Sequence, residues 1–93
     1  MPKLEDLLDQ VDELRDEIVA LEQDLVRIPT VNTGFMPTGN ETPVAEYARD
    51  WLAQDGIGSE ILESAPGRGN LISRLEGSSG NAGLLFMSHL DVV

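Results

Sequence analysis

Apolar residues at Leu4, Leu7, Val11, Leu14, Ile18, Leu21, Leu25 and Ile28 recur at alternating steps of three and four, the signature of a helix with one apolar seam. Pro29 disfavours helical backbone at Ile28, so this amphipathic helix is expected over residues 1–28. The seam is regular enough for a coiled coil. In a parallel pair, however, Glu17 would oppose Glu22 with like charge, and Val19 and Val26 widen the stripe as in a helix lying on its own domain. Packing onto the domain is the expected use, with self-association as a homodimer the alternative.

The pattern then changes. Pro29 to Asn40 is a twelve-residue connection of turn formers carrying Phe35 and Met36, which anchor the loop or line a cleft; anchoring is the expected role. Thr42-Pro43 reads as an N-cap followed by proline at the first helical position. Val44, Tyr47, Ala48, Trp51 and Leu52 follow at helical spacing, with Tyr47 and Trp51 as core, and Gly56 is placed to end the helix. Ile57 to Glu63 and Asn70 to Glu76 read as short strands joined by the turn formers Ser64 to Gly69, and Gly77 to Asn81 makes a second turn. The unbroken apolar run Leu84-Leu85-Phe86-Met87 suits a third strand buried on both faces. The expected fold is therefore α/β, two helices followed by three strands.

Charge narrows the partners. Seventeen acidic residues against six basic ones give a net charge of −11, a surface that repels nucleic acid and anionic membrane. Cysteine is absent, which removes disulfides and thiolate metal sites. No run approaches the roughly 20 apolar residues of a membrane helix, and acidic residues interrupt the first apolar positions, so no secretory leader is read. A soluble, cytoplasmic protein is expected. Neither glycine-rich turn is a phosphate cradle, because both lack the Gly-Lys-Ser/Thr ending, and Arg68 reads as a solvated turn residue.

The candidate chemistry lies just past the apolar run. In extended backbone His89 and Asp91 project to the same side while Leu90 points inward, so the only histidine of the chain stands beside a carboxylate at a strand's carboxyl end. Ligands of open α/β sheets bind beyond such ends. A neutral imidazole is a good zinc ligand, and a carboxylate that takes the proton on its other nitrogen fixes the tautomer. By itself His-x-Asp is unspecific; a hydrogen-bonded surface histidine would be spelled the same way.

The stretch Leu84-Leu85-Phe86-Met87-Ser88-His89-Leu90-Asp91-Val92-Val93 resembles the first metal-ligand motif of the zinc hydrolases that include acetylornithine deacetylase, succinyl-diaminopimelate desuccinylase, aminoacylase and carboxypeptidase G. Arg27-Ile28-Pro29-Thr30-Val31-Asn32 resembles that family's early turn, Glu46 to Leu52 through Gly56-Ile57 its second helix, and Gly69-Asn70-Leu71-Ile72 with Leu75-Glu76-Gly77 the strand before the histidine. The likeness runs from about Glu22 to Val93. It implies that residues 1–93 are the N-terminal part of a zinc-exopeptidase-like catalytic domain, incomplete as it stands. It gives His89 the role of ligand to one ion of a two-zinc site, with cobalt or manganese as substitutes, and gives Asp91 the orientation of that imidazole, counted with the active site. The parent enzyme would be a metallopeptidase or deacylase cleaving an amide bond of an N-acyl amino acid or small peptide. The remaining ligands and the general base would lie beyond Val93, so these residues alone are expected to be inactive and to bind zinc weakly. The rival expectation is a helical assembly or binding module built on the N-terminal seam, with His89 incidental.

Overall fold

The computed structural model describes residues 2–35, 39–81 and 83–93. Within these the chain forms three helices and one two-stranded antiparallel sheet, a small mixed α/β arrangement. Two helices and three strands were expected; one helix more and one strand fewer are observed.

The additional helix arises because the N-terminal seam is interrupted. Helix α1 spans Leu4–Glu13 and α2 spans Arg15–Arg27, with Leu14 between them at φ −86° and ψ 1°. The Leu14 N–H is shared between the carbonyls of Gln10 (3.2 Å) and Val11 (3.1 Å), the three-centre arrangement common at helix ends. Glu5 and Asp6 sit in the first turn of α1, and Asp16 and Glu17 in that of α2, where the helix dipole favours negative charge. Ile28 is extended at ψ 115°, as the following proline requires.

The two helices use the seam differently. On α2 and at its C-cap, Leu21, Leu25 and Ile28 are half-buried, and Ile18 and Leu21 share a shallow cleft with Leu14 and Trp51. On α1, Leu4, Leu7, Leu8 and Val11 are all exposed. Packing onto the domain is thus observed for the C-terminal half of α2 and not for α1. The radius of gyration, 15.8 Å, agrees with that elongation; a compact chain of this length would have about 12 Å.

Helix α3, Thr42–Ala53, packs on the sheet through Val44 and Ala45, which are buried. Its first residue is Thr42 and its N-cap position is Glu41, one residue earlier than the Thr-Pro pair suggests, and no side chain caps it. The carbonyl of Gly67 does so instead, accepting the N–H groups of Glu41 (2.8 Å) and Thr42 (3.2 Å). Gly56, at φ +75°, ends the helix: its N–H reaches the Ala53 carbonyl while the Ile57 N–H reaches that of Leu52, the paired bonds of a Schellman ending. Tyr47 and Trp51 are half-buried rather than core.

Strands β1, Ser59–Glu63, and β2, Gly69–Ser73, pair from Ser59↔Ser73 to Glu63↔Gly69. Ile61 and Leu71, cross-strand partners, are half-buried, whereas Leu62 and Ile72 are exposed. Gly69 lies so close to α3 that a Cβ there would meet Thr42 Oγ1 at 2.8 Å and Thr42 Cα at 3.1 Å. Only glycine permits this approach of hairpin to helix.

The expected third strand is absent among the described residues. Leu84, Leu85, Phe86 and Met87 are 81, 78, 85 and 86% exposed and carry no strand pairing. A strand buried on both faces needs neighbours at its edges and layers above and below, and one hairpin with one covering helix supplies neither. The segment touches the rest of the fold further on, through an isolated parallel bridge between Val31 and Val92. Phe35, expected as an anchor of its loop, is 78% exposed; Met36 lies outside the described residues. Among the described residues no helix is long and apolar enough to cross a membrane.

Tyr47 joins α3 to α2 by donating to Asp24 Oδ2 at 2.7 Å. That bond, with lesser help from burial and the charge of Asp24, lifts the phenol pKa above its ordinary 10.0. The sign follows: the stabilisation is full below the ordinary phenol value and is lost as pH rises through the raised one. Tyr47 is the sole tyrosine, so a spectrophotometric titration reads it alone. Asp24→Asn is expected to bring the midpoint down toward the ordinary value.

Candidate active site

The site is built where the segment after α2 meets the end of the chain. Thr30, buried, donates its hydroxyl to the Leu90 carbonyl at 2.9 Å. The Val92 N–H donates to the Thr30 carbonyl (3.0 Å) and the Asn32 N–H to the Val92 carbonyl (2.7 Å). These three bonds grip residues 90–92 on both sides of Asp91. Leu90 is half-buried and His89 faces outward, as the alternation of an extended chain requires.

His89 and Asp91 do come together. The His89 Nδ1 lies 2.8 Å from the Asp91 main-chain oxygen and 3.4 Å from its Oδ1. A carbonyl oxygen only accepts, so Nδ1 is the donor in this contact, and in the neutral ring the lone pair is then on Nε2. The orientation is the one a metal-binding imidazole takes, reached through the main chain, with the carboxylate as a second neighbour rather than the acceptor. The ring is 83% exposed and Asp91 is 30% exposed.

Asp91 has partners of its own. Its Oδ2 accepts from Asn32 Nδ2 at 3.0 Å, and Arg68 Nη2 stands 3.9 Å from the same oxygen. The Asn32 bond chiefly, then the main-chain bond of Asp91 itself and the charges of His89 and Arg68, hold its carboxyl below the usual range against an opposing contribution from burial.

Arg68 is more firmly engaged on its other side. Its Nε donates to Glu41 Oε2 at 2.6 Å, and the Glu41 side chain is only 8% exposed. The guanidinium rests against Gly39, whose φ of +85° and lack of Cβ make room for it; a Cβ there would lie 2.9 Å from Cζ. Glu41 Oε1 is buried without a hydrogen-bond partner among the described residues. Arg68, expected to be solvated, is instead the tie between the start of α3, the hairpin turn and Asp91.

An open cleft of roughly 830 Å³ lies between β2 and residues 85–91, with Glu41, Arg68, Asn70, Phe86, His89 and Asp91 on its walls. It is large enough for a small organic substrate. As a metal centre the donor set is partial: among the described residues no three His, Asp or Glu side chains approach closely enough to hold an ion. The orientation of His89 fits one nitrogen ligand, and zinc prefers four donors.

Sequence reasoning named His89 and Asp91, which the structure brings together, read Arg68 as solvated, and did not single out Thr30, Asn32 or Glu41. Asn32 reaches Asp91 across a separation of 59 residues. Only the extended segment after Pro29, which sets Thr30 to Asn32 beside residues 90–92, could have signalled it.

Comparison with known proteins gives partial matches. Over 55 residues, 59% of the chain, it is 44% identical to acetylornithine deacetylases of Vibrio cholerae, covering 14% of their length. Over 91 residues, 96% of the chain, it is 30% identical to an N-formyl-4-amino-5-aminomethyl-2-methylpyrimidine deformylase of Halalkalibacterium halodurans, covering 21% of that protein. The chain therefore spans about a seventh to a fifth of the length of the curated relatives it matches. No family model matches it, and no solved structure does. The names of these relatives describe enzymes that remove an acetyl or a formyl group, so the similarity points to hydrolases acting on amide bonds.

Proposed function

We propose that these 93 residues are part of the catalytic domain of a zinc-dependent amidohydrolase that cleaves the amide bond of an N-acyl amino acid or a small peptide. The observation that carries this reading is the orientation of His89, with Nδ1 engaged by Asp91 and the ring, 83% exposed, on the wall of the cleft. The partial likeness to a deacetylase and a deformylase supports the reaction class. The four exposed apolar residues before His89 support the larger domain, since such a run is stable when further sheet covers it.

In this reading His89 Nε2 is one ligand of a two-metal centre, and cobalt or manganese could stand in for zinc. Asp91 limits the rotation of the imidazole and keeps a negative charge beside it. Arg68, at the cleft wall, restrains the Asp91 carboxylate from the side away from the ring. When bound, zinc supplies Lewis acidity toward an amide carbonyl and a nucleophile at neutral pH. The other ligands and the general base belong to the larger polypeptide, so these residues alone are inactive.

Assaying the larger polypeptide on N-acetyl, N-formyl and N-succinyl amino acids, with free amine as the readout, tests the proposal. Chelator-sensitive release of amine is expected. Turnover indifferent to chelator, or none on any acyl-amino acid or dipeptide, would remove it.

The exposed seam of α1 favours a second reading, in which Leu4, Leu7, Leu8 and Val11 pair with a second copy of the chain. Under that reading sedimentation finds a dimer that Val11→Asp dissociates. A monomer at every concentration counts against it.

A further inference from the structure

We infer that Asn32 is a positioning residue for His89, acting through the carboxylate of Asp91. The inference rests on the hydrolase reading for its purpose, although its geometry stands without a metal.

Residues 84–87 have no strand partners, so no sheet holds the segment that carries His89. What holds it is the stretch Thr30 to Asn32, through the Thr30 hydroxyl, two main-chain bonds and the Asn32 side chain. Among these, only the Asn32 amide reaches a side chain of the pair, at 3.0 Å from Asp91 Oδ2. Asn32 is itself fixed at its other end, where Oδ1 accepts the Gly34 N–H at 2.9 Å. A short side chain held at both ends leaves its partner little freedom. With Oδ2 fixed, Oδ1 stays 3.4 Å from Nδ1, where its negative charge favours a proton on that nitrogen. Without the amide, the carboxylate would swing into the open cleft and that preference for Nδ1 would weaken.

The two ends of Asn32 can be separated. Asn32→Asp keeps an oxygen for the Gly34 N–H and replaces the donor to Asp91 by a carboxylate that repels it. His89 is the only histidine, so nitrogen-15 NMR of the imidazole at pH 8 reports its tautomer without ambiguity. The expected result is a predominantly Nδ1-protonated ring in the native chain, and loss of that form as the major species in Asn32→Asp with the far-ultraviolet circular dichroism unchanged. A second measurement needs no change at Asn32: its side-chain amide resonance should shift on Asp91→Ala. A native Nδ1-protonated ring that Asn32→Asp leaves untouched, or an amide resonance indifferent to Asp91→Ala, overturns the inference and leaves the hydrolase reading standing. A native ring already protonated on Nε2 overturns the inference and also removes the orientation on which that reading rests.

Discussion

Replacing Arg68 by alanine is expected to cost about 2 to 3 kcal/mol of folding free energy, a large share of what a 93-residue chain has to spare. The Glu41 carboxylate it pairs with is 8% exposed, with one oxygen already unpartnered among the described residues, so removing the guanidinium strands a charge in the interior. Fully buried pairs lose about 3 to 5 kcal/mol when one partner is deleted, and exposed ones about 0 to 1. Arg68 is 30% exposed, which puts the expectation between the two ranges, just below the buried one. Removing both charges together, as Arg68→Met with Glu41→Leu, should recover most of the loss, because no unpaired charge remains. Urea denaturation followed by the fluorescence of Trp51, the sole tryptophan, measures both variants against the native chain. A loss below about 0.5 kcal/mol in Arg68→Ala would mean that the pair behaves as a solvated surface contact.

Replacing His89 by alanine is expected to act in the opposite way, with a large effect on activity and little on stability. The ring is 83% exposed and its one hydrogen bond runs to a main-chain oxygen two residues away, so folding should change by no more than about 0.5 kcal/mol. Amide hydrolysis by the larger polypeptide should fall below detection. On the proposed function Asp91→Ala removes a supporting group and leaves the proposed ligand in place, and about a 10- to 100-fold loss is expected. The ordering of the two variants distinguishes ligand from support. Equal losses would mean that the pair acts as a unit.

The parts of this molecule legible in the sequence are those whose causes are local. Pro29 stops a helix at the residue before it, Gly56 supplies the left-handed ending of α3, and the turn formers between Glu63 and Asn70 set a hairpin. The proximity of His89 and Asp91 was legible for the same reason, since they are two residues apart in extended chain. What stayed hidden depends on distant partners. The Arg68–Glu41 tie joins residues 27 apart and the Asn32–Asp91 bond residues 59 apart, and no spacing rule encodes either. Leu84 to Met87 reads as a buried strand because its composition is right for one, yet burial needs covering layers that these 93 residues do not provide. The seam of α1 is the same case: its periodicity gives the helix, and nothing in it names what the apolar side should touch.

Zinc titration of the metal-stripped larger polypeptide, native and His89→Ala, tests the central claim most directly. The account predicts that the variant loses one tight site, or binds zinc there at least about tenfold more weakly, and hydrolyses no acyl-amino acid when the metal is restored. Equal zinc stoichiometry and affinity in the two proteins, with hydrolysis undiminished, would contradict it.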